Sequence, residues 1–126
     1  EEKHKLLLVE DDRDHGEIMK LVLESDGYEV CWVENGKEAF TALENELVSV
    51  VICDFMMPEM NGEQFVRRLR DDEKLKAIPV LMLTAISSDV AEKALLDAGA
   101  DVYCKKTAPR AEILKQVREL VGEIAK

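Results

Sequence analysis

The sequence has few cysteines, histidines and aromatic residues, and it has no long apolar run. Its three cysteines and two histidines show no CxxC or Cys/His spacing of the kind that binds zinc, so a zinc site is not expected. Cys53 and Cys104 lie within apolar runs and are predicted to be buried thiols, which favours a reducing, cytoplasmic location. No apolar segment is long enough to cross a bilayer, and no signal-peptide pattern is visible, so we expect no membrane partner.

Basic residues are scarce relative to acidic ones. The chain has 17 lysines and arginines against 27 aspartates and glutamates, which gives a net charge of -10. This charge argues against direct binding to nucleic acid or to an anionic lipid surface. A length of 126 residues is typical of one domain, and we expect residues 1–126 to form it. Because the chain begins with Glu1 rather than methionine, we also expect it to be a piece of a longer protein.

Short apolar runs alternate with amphipathic stretches along the chain. The runs predict five strands, at residues 5–9, 28–33, 48–53, 78–83 and 102–104. Each is followed by a stretch in which apolar residues have helical spacing. Regular alternation of this kind predicts an α/β fold, in which helices cover both faces of a parallel sheet. Five short units are too few for a closed eight-unit barrel, so a flavodoxin-like (βα)5 sheet is expected.

Polar and charged side chains follow the ends of the predicted strands. Two carboxylates follow the first strand, one follows the third, a hydroxyl follows the fourth and an ammonium lies beyond the fifth: Glu10, Asp11, Asp54, Thr84 and Lys106. Because ligands bind at the carboxyl ends of the strands in open α/β sheets, we expect these groups to meet there. Clustered carboxylates favour a hard cation such as Mg²⁺ or Mn²⁺, and the hydroxyl and ammonium suit a phosphoryl group.

Asp54 is the candidate nucleophile, because a carboxylate can accept a phosphoryl group as an acyl phosphate. Each of these residues also has an ordinary structural explanation when it is taken alone. Asp54 could begin the turn before Pro58, Thr84 could finish a strand, and Lys106 could lie on a solvated face. Asp12 is better explained as the cap of the first helix than as a ligand. The chemical interpretation rests on finding a coherent set at four strand ends.

Four motifs occur in a recognisable order. They are Leu8-Val9-Glu10-Asp11-Asp12; Asp54-Phe55-Met56-Met57-Pro58 with Gly62; Leu83-Thr84-Ala85; and Ala98-Gly99-Ala100-Asp101-Val102-Tyr103 ahead of Lys106. With these motifs the chain resembles, over nearly its whole length, the receiver domain of two-component response regulators. The resemblance implies a parallel five-stranded sheet of order 2-1-3-4-5, which is a known order for flavodoxin-like folds.

The resemblance also implies an acceptor and a metal site. Asp54 resembles the phosphoacceptor of the family. Glu10 and Asp11 resemble the acidic pair that holds the cation, which is Mg²⁺ with Mn²⁺ as an alternative. Asp54 and the backbone carbonyl of Met56 would complete the ligand set.

Further residues match the phosphoryl-binding and switch positions of the family. Lys106, three residues beyond Tyr103, matches the lysine that pairs with the phosphoryl group. Phe55 and Ala85 would border that group, and the small Ala85 would leave room for it. Thr84 resembles the hydroxyl that moves toward the phosphoryl group. Tyr103 resembles the aromatic switch residue, which turns inward in the active state.

Three positions have distinctive residues in comparison with the family. Thr107 follows Lys106 where the family usually has proline, and proline arrives only at Pro109. Met56 and Ile86 occupy two positions that tune autodephosphorylation in the family. Neither side chain can orient a water molecule by hydrogen bonding, so we expect a long-lived phosphoaspartate.

The implied partners are a histidine kinase or a phosphotransfer protein as donor, and an output domain or target protein that reads the signal. The surface of the fourth helix, fifth strand and fifth helix would change on phosphorylation, and a homodimer through that surface is one option. On this interpretation the chain does not act as an enzyme on other substrates. It catalyses only its own phosphorylation and a slow autodephosphorylation.

Three alternatives compete with this interpretation. A phosphatase of the haloacid dehalogenase type would need a second aspartate two residues after the nucleophile, where Met56 stands. A flavin carrier would need a phosphate-binding loop after the first strand, and Glu10-Asp11-Asp12 would repel the phosphate. An adaptor that has the receiver fold but is not phosphorylated is disfavoured by the complete set of site residues, although only an activity measurement excludes it.

Overall fold

The computed structural model of the chain describes residues 3–85 and 88–125, without the side chains of residues 123–125. In this part of the chain five strands alternate with five helices. The strands are β1 (Lys5–Val9), β2 (Glu29–Val33), β3 (Val50–Asp54), β4 (Val80–Thr84) and β5 (Val102–Lys105). The helices are α1 (Arg13–Ser25), α2 (Gly36–Asn45), α3 (Gly62–Asp71), α4 (Asp89–Ala98) and α5 (Arg110–Ala125). The predicted α/β alternation is confirmed.

The strands are all parallel and form one sheet in the order β2-β1-β3-β4-β5. This is the flavodoxin-like order that the sequence predicts. The central strands β1, β3 and β4 are almost wholly buried, because helices cover both faces of the sheet. The register pairs Val9 with Cys53 and Asp54 with Leu83, so the ends of these three strands reach the same edge.

Side chains of the strands alternate between two apolar cores. Leu6 and Leu8 of β1 lie in the core that α1 and α5 cover, whereas Leu7 and Val9 lie in the core that α2, α3 and α4 cover. Because both faces are buried, a slip of one residue would exchange the two sets of side chains. This double burial fixes the register and, with it, the positions of the residues that follow each strand.

The ends of the helices agree with their sequence signals. The carboxylate of Asp12 caps α1 by accepting a hydrogen bond of 3.2 Å from the backbone N–H of His15. Gly27 follows α1 with φ of +93°, and Gly99 follows α4 with φ of +121°. Both glycines adopt the left-handed conformation that commonly ends a helix.

Two strands lie closer to the carboxyl-terminal edge than the sequence predicts. The strand expected at 48–53 is Val50–Asp54, and the strand expected at 78–83 is Val80–Thr84. The apolar residues Val48 and Ile78 pack against the core from loops, so their hydrophobicity alone does not distinguish them from strand residues. As a result Asp54 and Thr84 are the last residues of strands, where the sheet fixes their backbones.

The expectations from composition also have structural counterparts. Cys53 and Cys104 are buried free thiols, as predicted, and Cys31 is a half-buried free thiol. Burial and the neighbouring Asp54 and Glu10 carboxylates raise the pKa of the Cys53 thiol well above its usual range. None of the helices in the described ranges is long and apolar enough to cross a membrane.

Candidate functional site

The carboxyl-terminal edge of the sheet gathers the five groups that the sequence singles out. Glu10 and Asp11 follow β1, Asp54 ends β3, Thr84 ends β4, and Lys106 follows β5. The backbone N–H of Lys106 donates a hydrogen bond of 2.8 Å to the carbonyl oxygen of Thr84. The parallel register therefore brings residues from four strands together, although the chain separates them widely.

Three carboxylates form an acidic cluster at this edge. Glu10, Asp11 and Asp54 each offer an oxygen atom, and these atoms all lie within 4.8 Å of one another. Glu10 is 1% exposed and Asp54 is 5% exposed, whereas Asp11 is exposed to solvent. The cluster is therefore buried at Glu10 and Asp54, next to the sheet, and accessible to solvent at Asp11.

Lys106 supplies a positive charge to the cluster. Its Nζ atom lies 2.9 Å from Oε1 of Glu10 and 3.0 Å from Oδ2 of Asp54. The neighbouring Lys105 ends β5 and is exposed. The geometry therefore places Lys106, rather than Lys105, at the acidic cluster. Thr107 follows Lys106 directly.

The electrostatic balance of the site disfavours ionisation of Asp54. Burial is the largest effect, and together with the hydrogen bond to Glu10 it raises the pKa of Asp54 to about 6. Lys106 acts in the opposite direction. Burial also tends to lower the pKa of Lys106, but its hydrogen bonds to Glu10 and Asp54 outweigh that effect and raise it. One ammonium therefore compensates the two buried carboxylates only in part.

The loop after β3 lies close to the acceptor candidate. The backbone N–H of Met56 points to Oδ1 of Asp54 at 3.4 Å, and Met56 is 59% exposed. The half-buried Phe55 is anchored by its N–H, which donates to the carbonyl oxygen of Leu83 at 3.3 Å. Gly62 donates to the carbonyl of Phe55 at 2.8 Å. The suggested metal contact of the Met56 carbonyl stays a prediction.

The proposed switch residues lie on β4 and β5. Thr84 is 1% exposed, and the exposed Ala85 follows it at the edge of the sheet. Tyr103 is half-buried and packs against the core that α2, α3 and α4 cover. Their roles as switch and phosphoryl-binding residues stay predictions. Ile86, which the sequence links to slow dephosphorylation, lies outside the described residues.

Two residues at the site were missed by sequence reasoning. Nδ1 of His15, in the first turn of α1, lies 2.6 Å from Oε1 of Glu10. The indole N–H of Trp32 donates to the carbonyl oxygen of Glu10 at 2.9 Å. Gly16 makes room for this indole, because a Cβ atom there would overlap the ring of Trp32. His15 lies five residues after Glu10 at the start of a helix, and this spacing is a sequence signal from which the contact could have been predicted.

The side chains at this edge fit a hard divalent cation. The three carboxylates offer only oxygen donors, which are the ligands that Mg²⁺ and Mn²⁺ prefer. When Glu10, Asp11 and Asp54 are ionised, three negative charges face the single positive charge of Lys106. A cation at the open side of the cluster would offset this excess, so the site could bind a metal.

Comparison with known sequences agrees with this geometry. The family described as response regulator receiver domain matches residues 6–118. The response regulator RppA of Synechocystis sp. is 39% identical over 118 residues, which are 92% of this chain and 50% of that protein. The chain thus spans about half the length of this relative.

Solved structures show the same likeness. The receiver domain of a signal transduction histidine kinase from Syntrophus aciditrophicus is 32% identical, with a TM-score of 0.89 over 96% of this chain and 92% of that one. The receiver domain of the sensor histidine kinase PA1611 from Pseudomonas aeruginosa, solved with a magnesium ion in its active-site cleft, is 27% identical, with a TM-score of 0.88 over 96% and 99% of the two chains. Sequence, topology and site geometry agree, and the chain belongs to the receiver domains of response regulators in two-component signalling.

Proposed function

We propose that this chain accepts a phosphoryl group on Asp54 and uses the modification to control a partner. The observation that carries the proposal is the position of Asp54. Its carboxylate is buried at the end of β3, next to two further carboxylates and 3.0 Å from the ammonium of Lys106. A carboxylate that only stabilised the fold would not need an acid-rich neighbourhood, because like charges at this distance repel.

The proposed metal is Mg²⁺, with Mn²⁺ as the alternative. Glu10, Asp11 and Asp54 would hold it through their carboxylates, and Met56 would do so through its backbone carbonyl. When bound, the cation would supply charge that offsets repulsion between the acceptor carboxylate and a phosphoryl donor. The magnesium ion in the cleft of the related PA1611 receiver domain supports this assignment.

The proposed reaction is phosphoryl transfer from the phosphohistidine of a histidine kinase or a phosphotransfer protein. An oxygen of Asp54 forms a bond to phosphorus, and the bond between phosphorus and the donor imidazole nitrogen breaks. The electron pair of that bond returns to the imidazole, which takes a proton from solvent. Lys106 would pair with an oxygen of the transferred group, Thr84 would donate its hydroxyl to another, and Phe55 and Ala85 would border it.

Phosphorylation would place a group with about 1.5 to 2 negative charges on Asp54, in place of the single charge of its ionised carboxylate, at a buried edge of the sheet. Movement of Thr84 toward these charges would make room for Tyr103, and the surface of α4, β5 and α5 would change. An output domain or a separate target protein would read the change, and a second copy of the chain is a further candidate partner. Residues 1–126 would act as one receiver domain.

The chain would turn over no external substrate beyond its phosphodonor. Met56 beside the acceptor, with Ile86, would leave the attacking water without an orienting group, so autodephosphorylation would be slow. We also propose a reducing, cytoplasmic setting, which the three free cysteines support.

The proposal is tested with beryllofluoride, which mimics a phosphoryl group on an aspartate. Wild-type protein and Asp54→Asn are mixed with Mg²⁺ and beryllofluoride, and adduct formation is followed by fluorine NMR. We expect a bound signal for the wild type and none for the variant. A wild type that behaves like Asp54→Asn would point instead to an adaptor with a receiver fold.

A further inference from the structure

The buried Glu10 side chain has hydrogen-bond partners at both of its carboxylate oxygen atoms. Its Oε1 atom contacts Nζ of Lys106 at 2.9 Å and Nδ1 of His15 at 2.6 Å. Its Oε2 atom accepts the backbone N–H of Asp12 at 3.2 Å. Since Glu10 is only 1% exposed, these contacts replace the solvation that the carboxylate has lost.

The two partners of Oε1 differ in what else they contact. Lys106 also bonds to Asp54, so its contact with Glu10 depends on the state of the acceptor. The ring of His15 bonds to Glu10, and the backbone of His15 is anchored at the start of α1 because its N–H donates to the Asp12 cap. His15 is therefore the partner of Oε1 that does not depend on Asp54.

The direction of the contact follows from the chemistry of the two groups. When Glu10 is ionised, its carboxylate can only accept hydrogen bonds, so the His15 tautomer that fits the contact carries the hydrogen atom on Nδ1 and donates it to Oε1. Outer hydrogen bonds of this kind fix the orientation of carboxylates that bind metals, and their loss typically weakens metal binding about 10- to 100-fold.

We propose that His15 is a positioning residue for the metal and phosphoryl site. It holds the Glu10 carboxylate in place for the cation. It also keeps Oε1 paired when Lys106 turns to the phosphoryl group on Asp54. The second part of this inference rests on the proposed function, because it requires Lys106 to leave Glu10 in the phosphorylated state.

The test compares His15→Ala and His15→Asn with the wild type at one fixed pH. In the second variant the side-chain amide nitrogen can occupy the place of Nδ1 and donate to Oε1, whereas alanine has no donor. The matched control is His4→Ala, because His4 bonds to Ser49 at the opposite end of β1. Binding of Mg²⁺ is followed by the fluorescence of Trp32, the single tryptophan, whose indole bonds to Glu10.

We expect His15→Ala to weaken Mg²⁺ binding about 10- to 100-fold, while His15→Asn recovers most of the affinity and His4→Ala matches the wild type. Equal affinity in the wild type and in a folded His15→Ala, as judged by thermal unfolding, would overturn the positioning role. The asparagine variant keeps the test decisive if the alanine variant does not fold, because a folded His15→Asn with a large loss of affinity would also contradict the proposal.

A second measurement separates this inference from the proposed function. The beryllofluoride adduct is measured in His15→Ala at a Mg²⁺ concentration that saturates the variant. We expect less adduct than in the wild type, because Oε1 of Glu10 loses its remaining partner when Lys106 turns away. If the wild type itself forms no adduct, the proposed function fails, whereas a loss of Mg²⁺ affinity in His15→Ala would still support positioning of Glu10.

Discussion

The Nζ atom of Lys106 lies 3.0 Å from Oδ2 of Asp54, although 52 residues separate the two in the chain. The contact exists because β3 ends at Asp54 and the chain leaves β5 just before Lys106, at the same edge of the sheet. The same ammonium lies 2.9 Å from Glu10. Two buried carboxylates thus share one cation, and this shortage of positive charge determines how the site should respond to change.

Removal of the acceptor carboxylate should stabilise the metal-free protein. A pKa of about 6 for Asp54, against 3.8 for an unperturbed aspartate, means that the ionised form costs folding free energy. At pH 8 in the presence of a chelator, Asp54→Asn should therefore raise the free energy of unfolding by up to about 3 kcal/mol. Urea denaturation measures this difference.

The matched control is Asp71→Asn at the exposed end of α3, which should change stability by less than about 0.5 kcal/mol. A destabilised Asp54→Asn would show that the acid cluster and Lys106 act chiefly as a structural ion pair.

The backbone around the acceptor should not tolerate a side chain at Gly62. A Cβ atom there would lie 2.9 Å from Cα of Phe55 and 3.2 Å from the carbonyl oxygen of Asp54. Backbone atoms cannot yield cheaply, so Gly62→Ala should cost about 1–3 kcal/mol and weaken the beryllofluoride adduct. Gly122→Ala is the control, since nothing in the described part of the chain lies within 4 Å of its Cβ position and alanine should stabilise α5 by about 0.5–1 kcal/mol. Equal effects of the two substitutions on stability would refute the steric argument.

Arg70 should stabilise the end of the sheet that lies opposite the site. Its guanidinium donates to the carbonyls of Lys76, Ile78 and Gly99 and to the Asp101 carboxylate, at distances of 2.6 to 2.9 Å. Arg70→Met removes this donor from the three carbonyls and leaves Asp101 with the backbone N–H of Val80, so we expect it to lower the free energy of unfolding by about 2–4 kcal/mol. Binding of Mg²⁺ should not change, because no site residue is touched.

Arg68→Met is the corresponding control on α3. Its guanidinium carbon lies 4.5 Å from the ring centroid of Phe40, a contact worth about 0.5–1 kcal/mol at an exposed position. Chemical denaturation measures the free energy of unfolding of both variants. A larger loss in Arg68→Met than in Arg70→Met would contradict the account.

The ion pair between Asp26 and Arg118 should make stability depend on pH in the acid range. Arg118 holds α5 to the end of α1 with two hydrogen bonds of 2.8 and 2.9 Å, and these bonds lower the pKa of Asp26 below 3.8. A carboxyl group with a lowered pKa contributes stability above its unfolded pKa, and this contribution is lost as the pH falls through the folded value. Arg118→Gln should therefore be less stable than the wild type near pH 7, and the difference should vanish at strongly acidic pH.

High salt should reduce the same difference, because both side chains are partly exposed. Thermal unfolding over a pH series is the measurement, with Arg67→Gln as the control, since Arg67 pairs with Glu63 within α3 and joins no two elements. A stability difference that persisted unchanged at the lowest pH would exclude the ion pair as its cause.

Much of the fold could be predicted from local patterns. Short apolar runs separated by amphipathic stretches favour a parallel sheet, because the helices that connect parallel strands cover both faces of the sheet. Capping of a helix start is a local requirement, so the place of Asp12 at the start of α1 was predicted correctly. The clustering of Glu10, Asp11 and Asp54 followed from the topology, because parallel strands deliver the residues after them to one edge.

Other features depend on contacts that the sequence does not display. The strands near Val48 and Ile78 were placed too early, because apolar loop residues that pack against the core resemble strand residues. The contacts of His15 and Trp32 with Glu10 depend on how α1 and β2 pack against β1. The spacing of apolar residues in the sequence does not determine this packing. The roles of Thr84 and Tyr103 concern a change between two states, and they stay predictions.

Direct mapping of the modified residue tests the central claim. The protein is incubated with Mg²⁺ and acetyl phosphate, the acyl phosphate is reduced with borohydride, and the labelled residue is located by peptide mass spectrometry. The account predicts a single modification at Asp54, which is absent without Mg²⁺ and in Asp54→Asn. An unmodified wild type, or a label on another residue that persists in Asp54→Asn, would contradict it.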